Sequence, residues 1–458
     1  MKEDIQRLIS VQRQTFLSGK TLPYEARIRA LEALRSAVLA QETALKEALH
    51  QDLGKASGEA YVSEIGMVLK DITYAKKHLK TWMKGERRRT DIGNVPGKSF
   101  TSPFPYGVAL IMSPWNYPVY LTLAPLVAAL SAGNTAIVKP SELSENTSRV
   151  LEKMLDEAFA ASHVSVIEGG VETAQALLEE PFDHIFFTGS TRVGRIVMEK
   201  AARHLTPVTL ELGGKSPCIV AADADLDRAA KRIVFGKCIN AGQTCVAPDY
   251  VLVDRTVEKP FIERMMHHIR AFYGDDPLEN DAYGRIVNTH HFKRLHALLE
   301  GQTIVTGGEN DPERLKIAPT IVTDVDATAP LMQEEIFGPI LPVLAFEHLD
   351  EAIATIRSKP HPLALYLFTR SKTVIDDVFG RCQFGGGCIN DTIMHVANPH
   401  LPFGGVGESG MGAYHGKAGF DTFSHLRSIV KKPARFDIPL RYLPLSEKQE
   451  RRIRKILK

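Results

Sequence analysis

Apolar residues recur at helical spacing early in the chain. Ile28, Leu31, Leu34 and Val38, followed by Leu45 and Leu49, are separated by Glu, Lys and Arg, the pattern of helices with one buried stripe. A further helix is predicted from about Glu59 to Trp82. The run Lys84-Gly85-Glu86-Arg87-Arg88-Arg89 reads as a solvated turn ending it, and Gly93, Pro96 and Gly97 mark an irregular or extended connection. From Val108 the pattern changes: short apolar runs at 108–111, 135–138, 164–167 and 184–187 alternate with helical stretches. Continuous apolar strands separated by helices predict a parallel sheet covered on both faces, a doubly wound, Rossmann-like unit. A second series starts near 216–220 and continues through 250–253 and 364–368, predicting another α/β unit of similar size.

Length agrees with two or more packed units, because 458 residues exceed what one hydrophobic core serves. A formal net charge of +2 gives no reason to expect a polyanionic partner, so nucleic acid is not implied. The five cysteines (Cys218, Cys238, Cys245, Cys382 and Cys388) are odd in number and lack the spacing of a zinc site or disulfide framework, which points to a reducing compartment and to no metal. Cys218 and Cys388 sit in strand-like apolar runs and read as small buried core thiols.

The first twenty residues carry scattered charges and no apolar core of a secretion signal, so a cytoplasmic protein is expected. The most apolar window, 117–138, is interrupted by Pro118, Pro125, Gly133 and Asn134, and reads as a buried helix followed by a strand, not as a membrane span. The basic tail at 451–458 reads as a C-terminal helix packed on its own subunit or a partner, with contact to a membrane surface as the alternative.

Two segments carry candidate chemistry. Gly242-Gln243-Thr244-Cys245 offers a thiol nucleophile, and Glu211-Leu212-Gly213-Gly214-Lys215 offers a carboxylate at the end of an apolar strand. A thiolate adds to a carbonyl carbon, and the resulting thioester needs a base to activate water for its release. On residue type alone Cys245 could equally be an inert loop cysteine and Glu211 a salt-bridge partner. Asn116, between Trp115 and Tyr117-Pro118, reads as a turn residue. No Gly-x-Gly-x-x-Gly fingerprint follows a strand. Instead 186–194 runs from an apolar strand into Gly189-Ser190, which would serve either as a helix N-cap or as a pyrophosphate cradle.

Seven segments in order, Pro114-Trp115-Asn116-Tyr117-Pro118, Lys139-Pro140-Ser141-Glu142, Phe187-Thr188-Gly189-Ser190-Thr191, Glu211-Leu212-Gly213-Gly214-Lys215, Gly242-Gln243-Thr244-Cys245, Glu335-Ile336-Phe337-Gly338-Pro339 and Pro402-Phe403-Gly404-Gly405, resemble the aldehyde dehydrogenase superfamily through nearly the whole chain. Tyr414-His415-Gly416-Lys417 with Phe420-Asp421-Thr422-Phe423-Ser424-His425 is similar to its class 3 branch, which oxidises medium-chain, long-chain and aromatic aldehydes.

That resemblance implies Cys245 as nucleophile, Glu211 as base and Asn116 as oxyanion donor beside the Cys245 backbone N–H. It implies Lys139, Glu142, Gly189, Ser190, Glu335 and Phe337 as cofactor contacts and Gly194 as a packing residue. Trp115, Tyr117, Ile393, Met394 and Phe403 are the expected substrate wall. Glu142 near a ribose 2′-hydroxyl would repel a 2′-phosphate, favouring NAD with NADP also accepted in class 3. The expected organisation is an NAD-binding domain of residues 1–82 and 106–211, with 400–430 returning to it, a catalytic domain of 212–399, and bridging segments at 83–105 and 431–458. A homodimer follows from the resemblance alone. The rivals are an acylating enzyme that passes the acyl group to coenzyme A, which would not need Glu211, and a silent scaffold, which would lack Cys245, Glu211 or Asn116. His415 has no role that the sequence argues physically.

Overall fold

Alternation of side chains along buried strands divides the apolar residues between the two faces of each sheet. In the computed structural model, which describes residues 2–437 and 442–456, a six-stranded sheet runs in the order Gly410–Met411, Val208–Glu211, His184–Thr188, Val108–Met112, Thr135–Lys139, Val164–Val166. All its pairings are parallel except that of Gly410–Met411. Leu110, Ile137, Ile185 and Phe187 face one core with Ile5 and Ile9 of the first helix, Lys2–Leu17. Ala109, Ile111, Val138 and Phe186 face the other with Leu31 and Leu123. Both faces are therefore dry, as the unbroken apolar runs predicted.

The second series forms a seven-stranded sheet in the order Thr303–Thr306, Thr320–Thr323, Ile340–Phe346, Tyr250–Asp254, Pro217–Val220, Ala364–Phe368, Gly386–Ile389. It is parallel but for the antiparallel edge strand Thr303–Thr306. Ile219, Leu365 and Leu367 face a core of their own, while Cys218, Val220, Tyr366 and Phe368 join the core that continues under the first sheet.

The charge run expected as a turn contributes an exposed strand, Glu86–Arg88, because the neighbouring extended connection Lys98–Pro105 pairs with it. Ser424–Lys431 pairs with the other side of Lys98–Pro105 across its whole length. Of the segment expected to return to the first unit, Gly410–Met411 joins the six-stranded sheet, while Ser424–Lys431 pairs with Lys98–Pro105.

The helix read at 59–82 is present from Ser57 to Trp82, with a π-turn at Tyr61–Ile65 between Ser57–Ala60 and Gly66–Trp82. The extra residue of a π-turn re-aims side chains, and here it buries Glu64 completely. Among the described residues no helix is long and apolar enough to cross a membrane. The basic tail forms the helix Glu447–Ile456 with acidic residues in its first turn and basic ones in its last; Leu457 and Lys458 lie outside the described residues.

Candidate active site

Strand Val108–Met112 has Thr135–Lys139 on one side and His184–Thr188 on the other, so the order of the chain reverses there and a crevice opens beyond the carboxyl ends. Pro114 and Trp115, which follow the first strand, line this cleft together with Thr188, Gly189 and Ser190, which follow the other. Ser190 caps helix Thr191–Ala202 by accepting from Val193 N at 3.4 Å, so the cap and the cleft-lining position are the same residue. Gly194 is the packing residue expected: a Cβ there would meet Leu212 Cδ2 at 2.6 Å.

Glu335 and Phe337 reach the opposite wall from the loop before Ile340–Phe346, and the Phe337 ring stands edge-on to Trp115 at 5.4 Å. Lys139 and Glu142 are not among the residues lining this cleft. Buried Lys139 ends its strand and donates to Pro140 O at 3.0 Å and to Glu142 Oε2 at 3.4 Å, the Glu142 side chain being 44% exposed.

The thiol loop begins where helix Leu226–Cys238 ends. Asn240 (φ 52°), Ala241 (φ 51°) and Gly242 (φ 76°) are successively left-handed, a conformation that non-glycine residues hold only when surroundings fix it. Four ties fix it here. Asn240 N donates to Glu59 Oε1 at 2.8 Å, Asn240 Nδ2 to Asn116 O at 2.7 Å, Gln243 Nε2 to Arg285 O at 3.0 Å, and Val287 N to Gln243 Oε1 at 3.0 Å. A Cβ on Gly242 would meet Gly338 O at 2.2 Å, so glycine lets the Glu335–Phe337 loop close against the thiol loop. Asn116 Nδ2 donates to Gln243 O at 3.0 Å.

Cys245 emerges half-buried and lines both this cleft and a second one. Burial, then the charges of Glu335 and Glu211, push its thiol up to about 12, opposed by backbone N–H groups of Cys245 and Val246. Glu211 ends strand Val208–Glu211; burial holds its carboxyl well above the usual carboxylate range, and both its oxygens are buried without a hydrogen-bond partner. Glu335 is pushed up to about 8 by burial and then by Asp249, with the Gly214 N–H acting the other way.

The second cleft is walled almost wholly by apolar groups. Tyr117, Ile393, Met394 and Phe403 line it, but Trp115 does not: its ring lies in the first cleft, 5.3 Å from His291 as well as beside Phe337. The loop leaving strand Val108–Met112 bends through 115–117, so Trp115 and Tyr117, two residues apart, line different clefts. Met394, half exposed, marks the mouth. Val62 of the π-turn, Met67 of Gly66–Trp82 and Phe235 of Leu226–Cys238 also line the cleft, and were not singled out from the sequence. Tyr120 and Tyr414 lie at the inner end with His415 behind them.

The His415 imidazole is buried, 3.2 Å from Tyr120 Oη and stacked on Phe403 at 5.3 Å, and burial pushes it down to about 3, so it is neutral. Its role is to back Tyr120 and Phe403. Cys388 departs from the core reading: it is half-buried with Sγ 3.6 Å from His395 Nδ1. His291 and Arg294, lining the first cleft, carried no signal in the sequence.

The family model described as aldehyde dehydrogenase family matches residues 1–429. Aldehyde dehydrogenase family 3 member A2 of Rattus norvegicus is 46% identical over 449 residues, 98% of this chain and 92% of its own length. The dimeric, NADP-preferring aldehyde dehydrogenase of Canis lupus familiaris is 44% identical, covering 98% of this chain and 99% of its own. A solved structure titled as the substrate-bound state of Staphylococcus aureus AldH superposes with a TM-score of 0.97 at 46% identity, covering 99% of each chain.

Proposed function

Because the chain belongs to the aldehyde dehydrogenase family, we propose that it oxidises apolar aldehydes to carboxylic acids with NAD, using Cys245 as nucleophile, Asn116 as oxyanion donor and Glu211 as base. The observation that carries this reading is the position of Cys245, which lines both the polar cleft and the apolar one. A thiol at that junction meets an aldehyde tail from one side and a hydride acceptor from the other.

The polar cleft fits a nicotinamide dinucleotide on its own chemistry. Thr188 Oγ1 and Glu335 Oε1 are buried there without partners, the state of groups awaiting a polar ligand. The N-terminus of helix Thr191–Ala202 opens beside Ser190 and favours a pyrophosphate. Gly213 lets Glu335 approach, since a Cβ would meet Glu335 Oε2 at 2.1 Å. Glu335 and Phe337 would hold the nicotinamide half within the cleft, and Lys139 with Glu142, which lie outside its lining, would meet the adenosine ribose, the exposed carboxylate of Glu142 favouring NAD over NADP. Bound there, the oxidised nicotinamide supplies the hydride acceptor.

The Cys245 thiolate adds to the aldehyde carbon, and the Asn116 amide with the Cys245 N–H stabilises the oxygen that gains the charge. Once the C–H pair has left as hydride, the carbon is a thioester. Glu211 takes a proton from water, the hydroxyl adds, the C–S bond breaks, and the acid leaves with the thiol regenerated. The unpartnered carboxyl of Glu211 is a strong base once ionised, since burial resists its charge. Acid-quenched protein, digested after mixing with NAD and a medium-chain aldehyde, is the test: the acyl mass belongs on the Cys245 peptide, and an acyl group on another peptide rejects the assignment.

The six-stranded unit thus serves cofactor binding and the seven-stranded unit carries the thiol. A cytoplasmic homodimer is the proposed form. Five free cysteines support the compartment. A relative named as dimeric and the edge strand Ser424–Lys431, with exposed Leu426 and Val430, support the dimer.

A further inference from the structure

Behind the thiol loop lies a charged pair that the proposed chemistry does not use. Lys55 and Glu64 have no exposed side-chain surface and are ion-paired. Taking two charges out of water is costly unless every donor and acceptor is engaged, and here they are engaged at one place. Lys55 Nζ donates to Asn116 O at 3.0 Å and sits 4.0 Å over the Tyr117 ring. Glu64 Oε2 accepts from Val119 N at 2.8 Å and from Tyr120 N at 3.2 Å. The pair therefore grips the backbone from Asn116 to Tyr120, and Asn240 Nδ2 shares the same Asn116 carbonyl at 2.7 Å.

We infer that Lys55 and Glu64 are positioning residues that fix the Asn116 side chain as oxyanion donor, through the carbonyl of Asn116 on one side and the start of helix Tyr120–Ala132 on the other. The π-turn Tyr61–Ile65 belongs to this device, because it carries Glu64 into the interior. A general stabilising pair would have no need to hold both ends of the short segment that carries Asn116, whereas an oxyanion donor loses its effect when displaced by a fraction of an ångström. Lys55 and Glu64 touch no reacting atom; they act through Asn116.

The inference rests on the reading of Asn116 given above, and a double-mutant cycle separates the two. Lys55→Met with Glu64→Gln removes both charges of the pair together and keeps an acceptor for Val119 N and Tyr120 N. In the otherwise native enzyme this pair is expected to lower kcat about tenfold or more, less than the loss of the donor itself, with the aldehyde KM and the NAD dissociation constant changed less than about twofold. In an Asn116→Ala background the same pair should lower kcat by less than about threefold further, because non-additivity is the mark of a shared action. Equal factors in the two backgrounds, or no loss in the native one, overturn the inference. Should the double substitution not fold, Glu64→Gln alone is run through the same cycle with the same two outcomes. If Asn116→Ala by itself leaves kcat unchanged, the oxyanion reading fails, and that result is seen without the Lys55 variants.

Discussion

The hydroxyl of Tyr117 lies 2.6 Å from the hydroxyl of Thr244. The residue after Asn116 is thereby bonded to the residue before Cys245, while Asn116 itself reaches Gln243 O. Two loops from different sheets are cross-linked on either side of the proposed reacting centre. Tyr117→Phe removes one tie and leaves buried Thr244 without that partner. With one hydrogen bond worth about 1 kcal/mol, kcat should fall about fivefold, with cofactor affinity unchanged. Steady-state rates equal to the parent's would mean that the tie does not set the geometry.

The thiol titrates far above its ordinary value, so its reactive thiolate gains as pH rises. Alkylation of Cys245 by iodoacetamide without cofactor should therefore keep accelerating into the alkaline range instead of levelling near the usual thiol value. Because Glu335 and then Glu211 raise the thiol by their negative charge, Glu335→Gln and Glu211→Gln should each move the rate profile to lower pH. The Glu335 effect should be confined to pH values above about 8, where that carboxyl is ionised. A shift to higher pH in either variant would contradict the electrostatic account.

Glu211→Gln separates the two halves of the reaction. In the proposed mechanism hydride loss needs no base at that position, but thioester hydrolysis does. Rapid mixing should give one equivalent of NADH per site, followed by a steady state slower by about 10²-fold to 10⁴-fold. Parent-like turnover without accumulated acyl-enzyme would assign the base elsewhere.

Gly242 is required by conformation and by space: its φ is 76°, and an added Cβ would meet Gly338 O at 2.2 Å. Gly242→Ala should cost roughly 1–3 kcal/mol from backbone strain alone and lower activity more than stability, because the loop it distorts carries Cys245. Thermal melting read beside kcat checks this; a variant with parent-like activity would show that the contact between the two loops is slack.

In the proposed reading, the exposed carboxylate of Glu142 sets cofactor choice. Glu142→Ala should narrow the ratio of NAD to NADP catalytic efficiency by about tenfold, by removing repulsion of the 2′-phosphate. Equal efficiency of the parent enzyme with both nucleotides would contradict the preference.

Much of this was legible in the sequence because buried parallel strands leave unbroken apolar runs, as at 108–112 and 364–368. The strands at 86–88 and 98–105 were not legible: Lys98–Pro105 is held by pairing with Ser424–Lys431, far along the chain, and Glu86–Arg88 by pairing with the other side of Lys98–Pro105. Cys245, Glu211 and Asn116 stood out through local motifs. Trp115 lies in a different cleft from Tyr117, which a motif does not reveal because it records neighbours in sequence and not the turn between them. Lys55 and Glu64 look like surface charges in a one-dimensional reading; both are fully buried, Glu64 within a π-turn that no local pattern announced.

The central claim is hydrolytic aldehyde oxidation at Cys245, and the most direct test is nicotinamide absorbance after mixing the protein with NAD and a medium-chain aldehyde, with no coenzyme A present. The account predicts NADH production sustained over many turnovers in the parent and abolished in Cys245→Ser. A parent enzyme that stops at one equivalent per site, or a Cys245→Ser variant that continues to turn over, would contradict it.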